Sequence, residues 1–173
     1  MAAMDRRGLI GRSAPGGIPW NLPVDAMHFR NYCRGKVVVV GRKTFGEMAG
    51  WFSRFEALPL ILTSQSMSPE LATCPSPEAV VKAAAAIAAP VSDELVVAGG
   101  GRTYAALLPM ATRLILTEID ASFEGDVFFP RFNEDDWTVV STSRHEVSED
   151  NPGNQHAFSI IERIRRENPA ARV

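Results

Sequence analysis

The sequence predicts an α/β protein: one domain built on a mostly parallel sheet flanked by helices, with an antiparallel pair closing its carboxyl-terminal edge. Three observations carry this. Lys36 to Val40 (K-V-V-V-V) is an unbroken β-branched run, the pattern of a strand buried on both faces and covered by helices. Twice an apolar run enters a glycine turn and then a helical pattern, at G-R-K-T-F (Gly41 to Phe45) and at A-G-G-G-R-T-Y (Ala98 to Tyr104). Trp137 to Ser143 and Ala157 to Ile164 alternate as a closing antiparallel pair does.

Composition narrows the function. A chain of 173 residues suits one compact domain, read as residues 1–164, with 165–173 expected to fray as a polar tail whose arginines are solvated. Eighteen Lys plus Arg against twenty Asp plus Glu leave a net charge of −2, so the basic stripe of a nucleic-acid binder is missing. Cys33 and Cys74 lie in unrelated contexts and no apolar leader precedes them, which points to free thiols in the cytoplasm. His28, His145 and His156 are far apart and have no cysteine at metal-ligand spacing, so no metal is expected. No apolar run approaches the ~20 residues a membrane helix needs.

In order, Met1 to Met4 is a short apolar opening read as the tail of a strand, and Asp5 to Arg7 a charged turn. Gly11 to Gly17 (G-R-S-A-P-G-G) is a loop of unusual backbone freedom, either a plain surface connection or a lid. It delivers Ile18 to Arg30 (I-P-W-N-L-P-V-D-A-M-H-F-R), around which the chain is organised. Pro19 and Pro23 hold the backbone extended, so a helix begins only after them. Asp25 then lies in the first turn, with Ala26 and Phe29 around one side and Trp20 within reach. A carboxylate there either complements the helix dipole or sits in an apolar pocket, where desolvation raises its pKa and lets it share a proton with a bound heterocycle.

At Gly41 to Phe45 a helix start, two cations and a hydroxyl suit a phosphate, with a solvated basic turn as the bland alternative. Leu58 to Ser64 is a second buried strand ending in hydroxyls; Glu78 to Ala89 is an alanine-rich helix stopped by Pro90. Gly99 to Gly101 lets main chain lie flat against a ligand, or simply makes a tight turn. Arg113 to Ile119 is a further strand, its apolar face interrupted by Thr117, and Phe123 to Pro130 holds a Gly-Asp turn before aromatics.

The motifs I-P-W-N-L-P-x-D-x-x-x-F-R, V-G-R-K-T-F, L-T-S, A-G-G-G-R-x-Y, L-T-E-I and F-E-G-D-x-F-F-P occur in one order along nearly the whole chain. That order closely resembles dihydrofolate reductase. The resemblance implies an eight-stranded, mostly parallel sheet, NADPH as hydride donor and 7,8-dihydrofolate as acceptor, in a monomer. It makes Asp25 the ionisable group of the pterin pocket, Thr117 its hydrogen-bond partner and Trp20 the residue that orders a water beside the substrate. It also implies substrate contacts from Met1, Ala3, Ile18, Ala26, Phe29, Met48 and Tyr104. For the cofactor, it implies Ala3, Ile10, Gly11, Gly17 and Ile18 at the nicotinamide and the closing loop. Gly41, Arg42, Lys43 and Thr44 fall at the phosphates, Thr63, Ser64 and Gln65 at the adenosine, and Ala98, Gly99, Gly100, Gly101, Arg102, Thr103 and Tyr104 at the pyrophosphate and nicotinamide cradle.

Three departures stand out. The family's first strand begins about four residues earlier, so this one is expected to be trimmed or to start upstream. The loop before Ile18 is longer by roughly two residues and richer in glycine. Where the family carries a Pro-Gly-Arg turn whose arginine grips the folate glutamate, this chain has Ala57, leaving Arg54 as the candidate substitute. A substrate without the glutamate tail, as in the riboflavin-pathway reductase of the same fold, therefore stays open, as does a non-catalytic NADP-binding module.

Overall fold

A computed structural model describes residues 1–14, 16–87, 93–148 and 153–166. Its strands are β1 (Ala2–Asp5), β2 (Leu9–Gly11), β3 (Val37–Gly41), β4 (Leu58–Leu62), β5 (Thr73–Cys74), β6 (Leu95–Gly99), β7 (Arg113–Ile119), β8 (Val127–Phe128), β9 (Trp137–His145) and β10 (Phe158–Arg165). The helices are α1 (Pro23–Cys33), α2 (Arg42–Phe55), α3 (Pro77–Ala86) and α4 (Gly101–Leu107), with short 3-10 turns at Leu108–Met110 and Glu134–Asp136. The expected eight strands thus become ten short ones among the described residues. They hydrogen-bond as a parallel set β5-β4-β3-β6, a set β1-β7-β10-β9 and the small pair β2-β8.

Sequence explains most of these bounds. Val37, Val38, Val39 and Val40 are all buried, as a strand with covered faces requires. α2 starts directly after Gly41, and α3 after Ser76, whose hydroxyl accepts from the Ala79 N–H and so caps it. α3 ends at Ala86, and the expected stop at Pro90 lies outside the described residues. The closing pair is antiparallel, with β10 between β7 and β9. Cys33 and Cys74 are buried free thiols.

The two larger sets meet at β6 and β1, where the Met1 nitrogen donates to the Val97 carbonyl at 3.0 Å. β1 pairs with β7 from Ala2 opposite Leu116 onward. On the far side of Met1 the β6 and β7 strands diverge around a cavity of about 420 Å³, lined by Leu95, Val97, Leu114, Ile115 and Phe129 among others.

Two expectations are corrected. Asp5, read as the first residue of a charged turn, ends β1 and is buried, and its carboxylate accepts from the backbone N–H groups of Arg7, Leu9 and Phe123 at 2.8 to 2.9 Å. Arg165 is no frayed tail residue; it closes β10, stacks its guanidinium 4.3 Å over the Trp137 ring and donates to the Ala111 and Leu108 carbonyls. Arg166 likewise bonds back to Asp136 and Trp137, while 167–173 lie outside the described residues. Between β9 and β10 the chain is described again from Gly153. There Asn154 is buried and its side-chain oxygen accepts from the Val24 N–H at 3.3 Å. α1 has no side-chain cap of its own, so this residue from a distant loop serves one of its free N–H groups.

Burial alone would raise the Asp5 pKa, but the three backbone donors hold it below the ordinary carboxylate range. Its contribution is therefore present above the unfolded-state pKa and lost as pH falls through the folded-state value. Asp5→Ala is expected to cost about 2–4 kcal/mol in urea denaturation at neutral pH, because three enclosed N–H groups lose their acceptor. The difference from the parent should shrink as the titration is repeated in acid.

Candidate active site

Asp25 stands in the first turn of α1, set there by Pro23 at the helix start. Thr117 of β7 is almost wholly buried and donates its hydroxyl to Asp25 Oδ1 at 2.6 Å. In the sheet Thr117 lies between Ala3 of β1 and Ile160 of β10, so the acid hangs over the middle of the β1-β7-β10 set. Burial pushes the Asp25 pKa above its usual value, while the Thr117 hydroxyl and the imidazoles of His28 and His145 pull the other way. The first effect wins.

Around this carboxyl the surroundings are apolar. Trp20 is buried with its ring 5.2 Å from Phe123, and its indole N–H has no partner among the described residues. Trp20 and Ala3 pack into one cluster with Leu9, Leu22, Ile115 and Phe158. Met1, Phe29, Met48 and Ala98 meet in another, beside Phe52, Trp51 and buried Ala57. Ile10 and Tyr104 belong to a third with Phe129. Tyr104 ties these together by donating its hydroxyl to the Met1 carbonyl at 2.7 Å. Ala26 and Ile18 are exposed beside this group.

The glycines assemble separately, one strand beyond Met1. β3 and β6 run parallel with Val40 opposite Gly99, so their carboxyl ends, Gly41 and the Gly99–Gly100 turn, lie side by side. The Gly99–Gly100 peptide is cis, and Gly99 has φ 127°, a conformation that favours glycine. A Cβ on Gly41 would stand 2.7 Å from Thr103 Oγ1, and one on Gly100 would stand 3.1 Å from Thr44 Oγ1. Both flanking helices start here without a side-chain cap, so their first N–H groups stay free. Arg42, Lys43 and Arg102 are exposed at the same junction, and Gly101 packs against Phe128 and Val127 of β8. Thr63 and Ser64 follow β4 one strand further out, with the Gln65 N–H turned onto Thr63 Oγ1. A glycine-lined junction with free N–H groups, hydroxyls and cations is chemically suited to an extended polyanion.

The loop before Ile18 is a folded hairpin in its described part. Arg12 N–H donates to the Gly17 carbonyl at 3.0 Å and Ser13 N–H to Asp126 at 2.7 Å, which holds Gly11 and Gly17 close to β2 and β8. Arg54 is exposed on α2, three residues after Trp51 and so its neighbour on the helix surface. Two residues near Asp25 escaped the sequence reading. His28 was signalled by its spacing of three along α1; His145 had no local signal, because only the β9–β10 pairing carries it there.

The fold and site define a class of protein: an α/β domain that sets a glycine junction suited to an anion beside apolar side chains surrounding one carboxylate, whose pKa burial raises. The family model described as dihydrofolate reductase matches residues 1–163. The dihydrofolate reductase of Bacillus subtilis is 34% identical over 154 residues, covering 87% of this chain and 85% of its own. Dihydrofolate reductase HdrB of Haloferax volcanii is 36% identical, with 84% and 76% covered. Among solved structures, the Enterococcus faecalis dihydrofolate reductase complexed with NADP(H) and RAB-propyl superposes with a TM-score of 0.79 at 28% identity, covering 96% of this chain and 94% of that one. This chain belongs to the dihydrofolate reductase family.

Because its folded-state pKa is raised, Asp25 favours the folded protein fully only below the unfolded-state pKa, and that contribution is lost as pH rises through the folded-state value. Asp25→Asn should therefore be more stable than the parent at neutral pH, with the gain vanishing in acid, as read by thermal unfolding across pH. A gain that persists unchanged at low pH would contradict a desolvated carboxyl.

Proposed function

We propose that this protein reduces 7,8-dihydrofolate to tetrahydrofolate with NADPH, acting as a cytoplasmic monomer. The observation that carries the reading is the Thr117–Asp25 hydrogen bond in an apolar surround, next to the glycine junction, in a chain of this family. The junction fits a dinucleotide, since two helix starts without side-chain caps, the Thr44 and Thr103 hydroxyls and exposed cations surround glycines too crowded by those hydroxyls to carry a Cβ. Gly41, Arg42, Lys43 and Thr44 would hold phosphates, with Gly99 to Tyr104 along the pyrophosphate and nicotinamide and Thr63, Ser64 and Gln65 at the adenosine end. Bound there, NADPH supplies the hydride that goes to C6 of the pterin.

The chain's own residues govern the proton and the orientation. Asp25 can bond the pterin amino group and the adjacent ring nitrogen, two neighbouring donors that match one carboxylate. Thr117 fixes which oxygen faces the ring, and its own χ1 is stiff because it is β-branched. Charge on Asp25 favours the protonated form of the substrate, while N5 receives its proton from water. The unpartnered indole N–H of Trp20 is a donor suited to positioning such a water. Ala3, Ala26, Phe29, Met48 and Ile18 supply apolar walls, which keep bulk water out and strengthen each charge interaction within.

Purified protein should oxidise NADPH when given dihydrofolate. Asp25→Asn is expected to lose about 10²-fold or more of that rate at neutral pH, and less in acid, where solvent protonates the substrate without help. No NADPH consumption with dihydrofolate, alongside turnover of a tail-less dihydropterin, would replace this reading by a pterin reductase. Gly41→Ala, by crowding Thr103, should weaken NADPH binding in a fluorescence titration while leaving the protein folded.

A further inference from the structure

Asp25 meets Thr117 at 2.6 Å, so a small outward movement of the first turn of α1 would break the pair. That turn has little to hold it from within. Leu22 stands at the cap position without a side-chain hydrogen bond, and Pro23 has no N–H to offer. Support comes from the connection that enters β10. Asn154, 3% exposed, accepts the Val24 N–H on its side-chain oxygen at 3.3 Å, and Val24 is the residue before Asp25. Gly153 packs on the proline before that: a Cβ there would stand 2.7 Å from Pro23 Cγ and 3.4 Å from Cδ. Two residues after Asn154, the His156 ring meets Phe123 edge-on at 5.1 Å, and Phe123 lies 5.2 Å from Trp20. One short stretch therefore backs both the acid and the indole.

The charged groups nearby act on Asp25 from elsewhere. His28 faces it from its own helix, His145 from β9 and Tyr104 from α4. Tyr32, further along α1, turns its hydroxyl to Glu94; Arg113 pairs with Glu162, and Arg144 with Asp120 and Glu146. Neither Gly153 nor Asn154 carries a charge. Their contacts reach Asp25 through position and hydration alone.

We propose that Gly153 and Asn154 are positioning residues for Asp25: docked on the first turn of α1, they fix how deeply the carboxyl enters its apolar surround, and so the rate of the reduction. The inference deepens the function proposed above, on which only its kinetic test rests. Loosening the dock admits water to the carboxyl and lengthens its bond to Thr117. Burial is the larger influence on Asp25, so the net effect moves its titration down toward the ordinary carboxylate range. A negative charge placed at 154 does the reverse while keeping an acceptor for Val24. A cap that only stabilised the helix would lower the unfolding temperature and leave the titration of the acid where it is.

The test is a ¹³C NMR titration of the full chain labelled at the aspartate carboxyls, with the Asp25 signal assigned by its loss in Asp25→Asn. Asn154→Ala and Gly153→Ala should each lower the Asp25 midpoint, and Asn154→Asp should raise it. In steady-state NADPH oxidation with dihydrofolate, the two alanine variants should lose about ten-fold in kcat, because small misplacements of a reacting group are costly. KM for NADPH should not move, since the glycine junction lies at β3 and β6. Asn154→Asp should keep most of kcat at alkaline pH, where Asp25 is again ionised. An Asp25 midpoint unmoved in both alanine variants, a midpoint lowered by Asn154→Asp, or a rise in NADPH KM as large as the loss in kcat would each overturn the assignment. If Asn154→Ala does not fold, Gly153→Ala and Asn154→Asp decide it. A parent protein that oxidises no NADPH with dihydrofolate would overturn the functional reading and leave the positioning role to be decided by the NMR titration.

Discussion

The hydrogen bond from Thr117 to Asp25 joins the two parts of the molecule that have to be in register for anything else to follow. A carboxyl set among apolar side chains is costly when ionised, and a single well-directed donor offsets part of that cost without neutralising the group. Thr117 can serve because it is buried in the centre of its sheet, held between β1 and β10, and nearly free of rotamer choice. In turn α1 is held over that sheet by Pro23, by Trp20 packing on Phe123, and by Asn154 reaching its first turn. Acid, helix and strand therefore specify one another's positions.

The rest of the site depends on where two sets of strands abut. β6 belongs to the parallel set and β1 to the set that carries Thr117, and Met1 touches both: its nitrogen bonds to Val97 and its carbonyl accepts from Tyr104. Crevices at the carboxyl ends of parallel strands, where the strand order changes direction, are the usual binding places of open α/β sheets. Here that geometry puts the glycine junction on one side of Met1 and the carboxylate on the other. A flat ring lying across this boundary can meet groups from both sides, which is what transfer between two bound molecules requires.

Much of this was legible from local pattern. The valine run, the two strand–glycine–helix passages and the alternating closing pair each have a periodicity or turn chemistry that works over a few residues, and the structure follows them to within a residue or two. The cradle glycines were legible for the same reason, since a backbone that must come close to another atom tolerates no side chain whatever the fold. The roles of Asp5, Asn154 and Arg165 were not legible, for the opposite reason. Each polar side chain has at least one hydrogen-bond partner between 54 and 130 positions away. No window of sequence contains such partners.

By itself, then, the sequence determined the class of fold, the identity of the acid and the places where main chain had to approach a ligand, because these follow from propensity, spacing and the geometry of glycine and proline. The tertiary structure alone decided that Asp25 is desolvated, that His28 and His145 both act on it, and that Arg30 of α1 stacks on Phe55 of α2. Those are properties of burial and of charges brought together across the chain. Both depend on distance in space, which the order of residues does not contain.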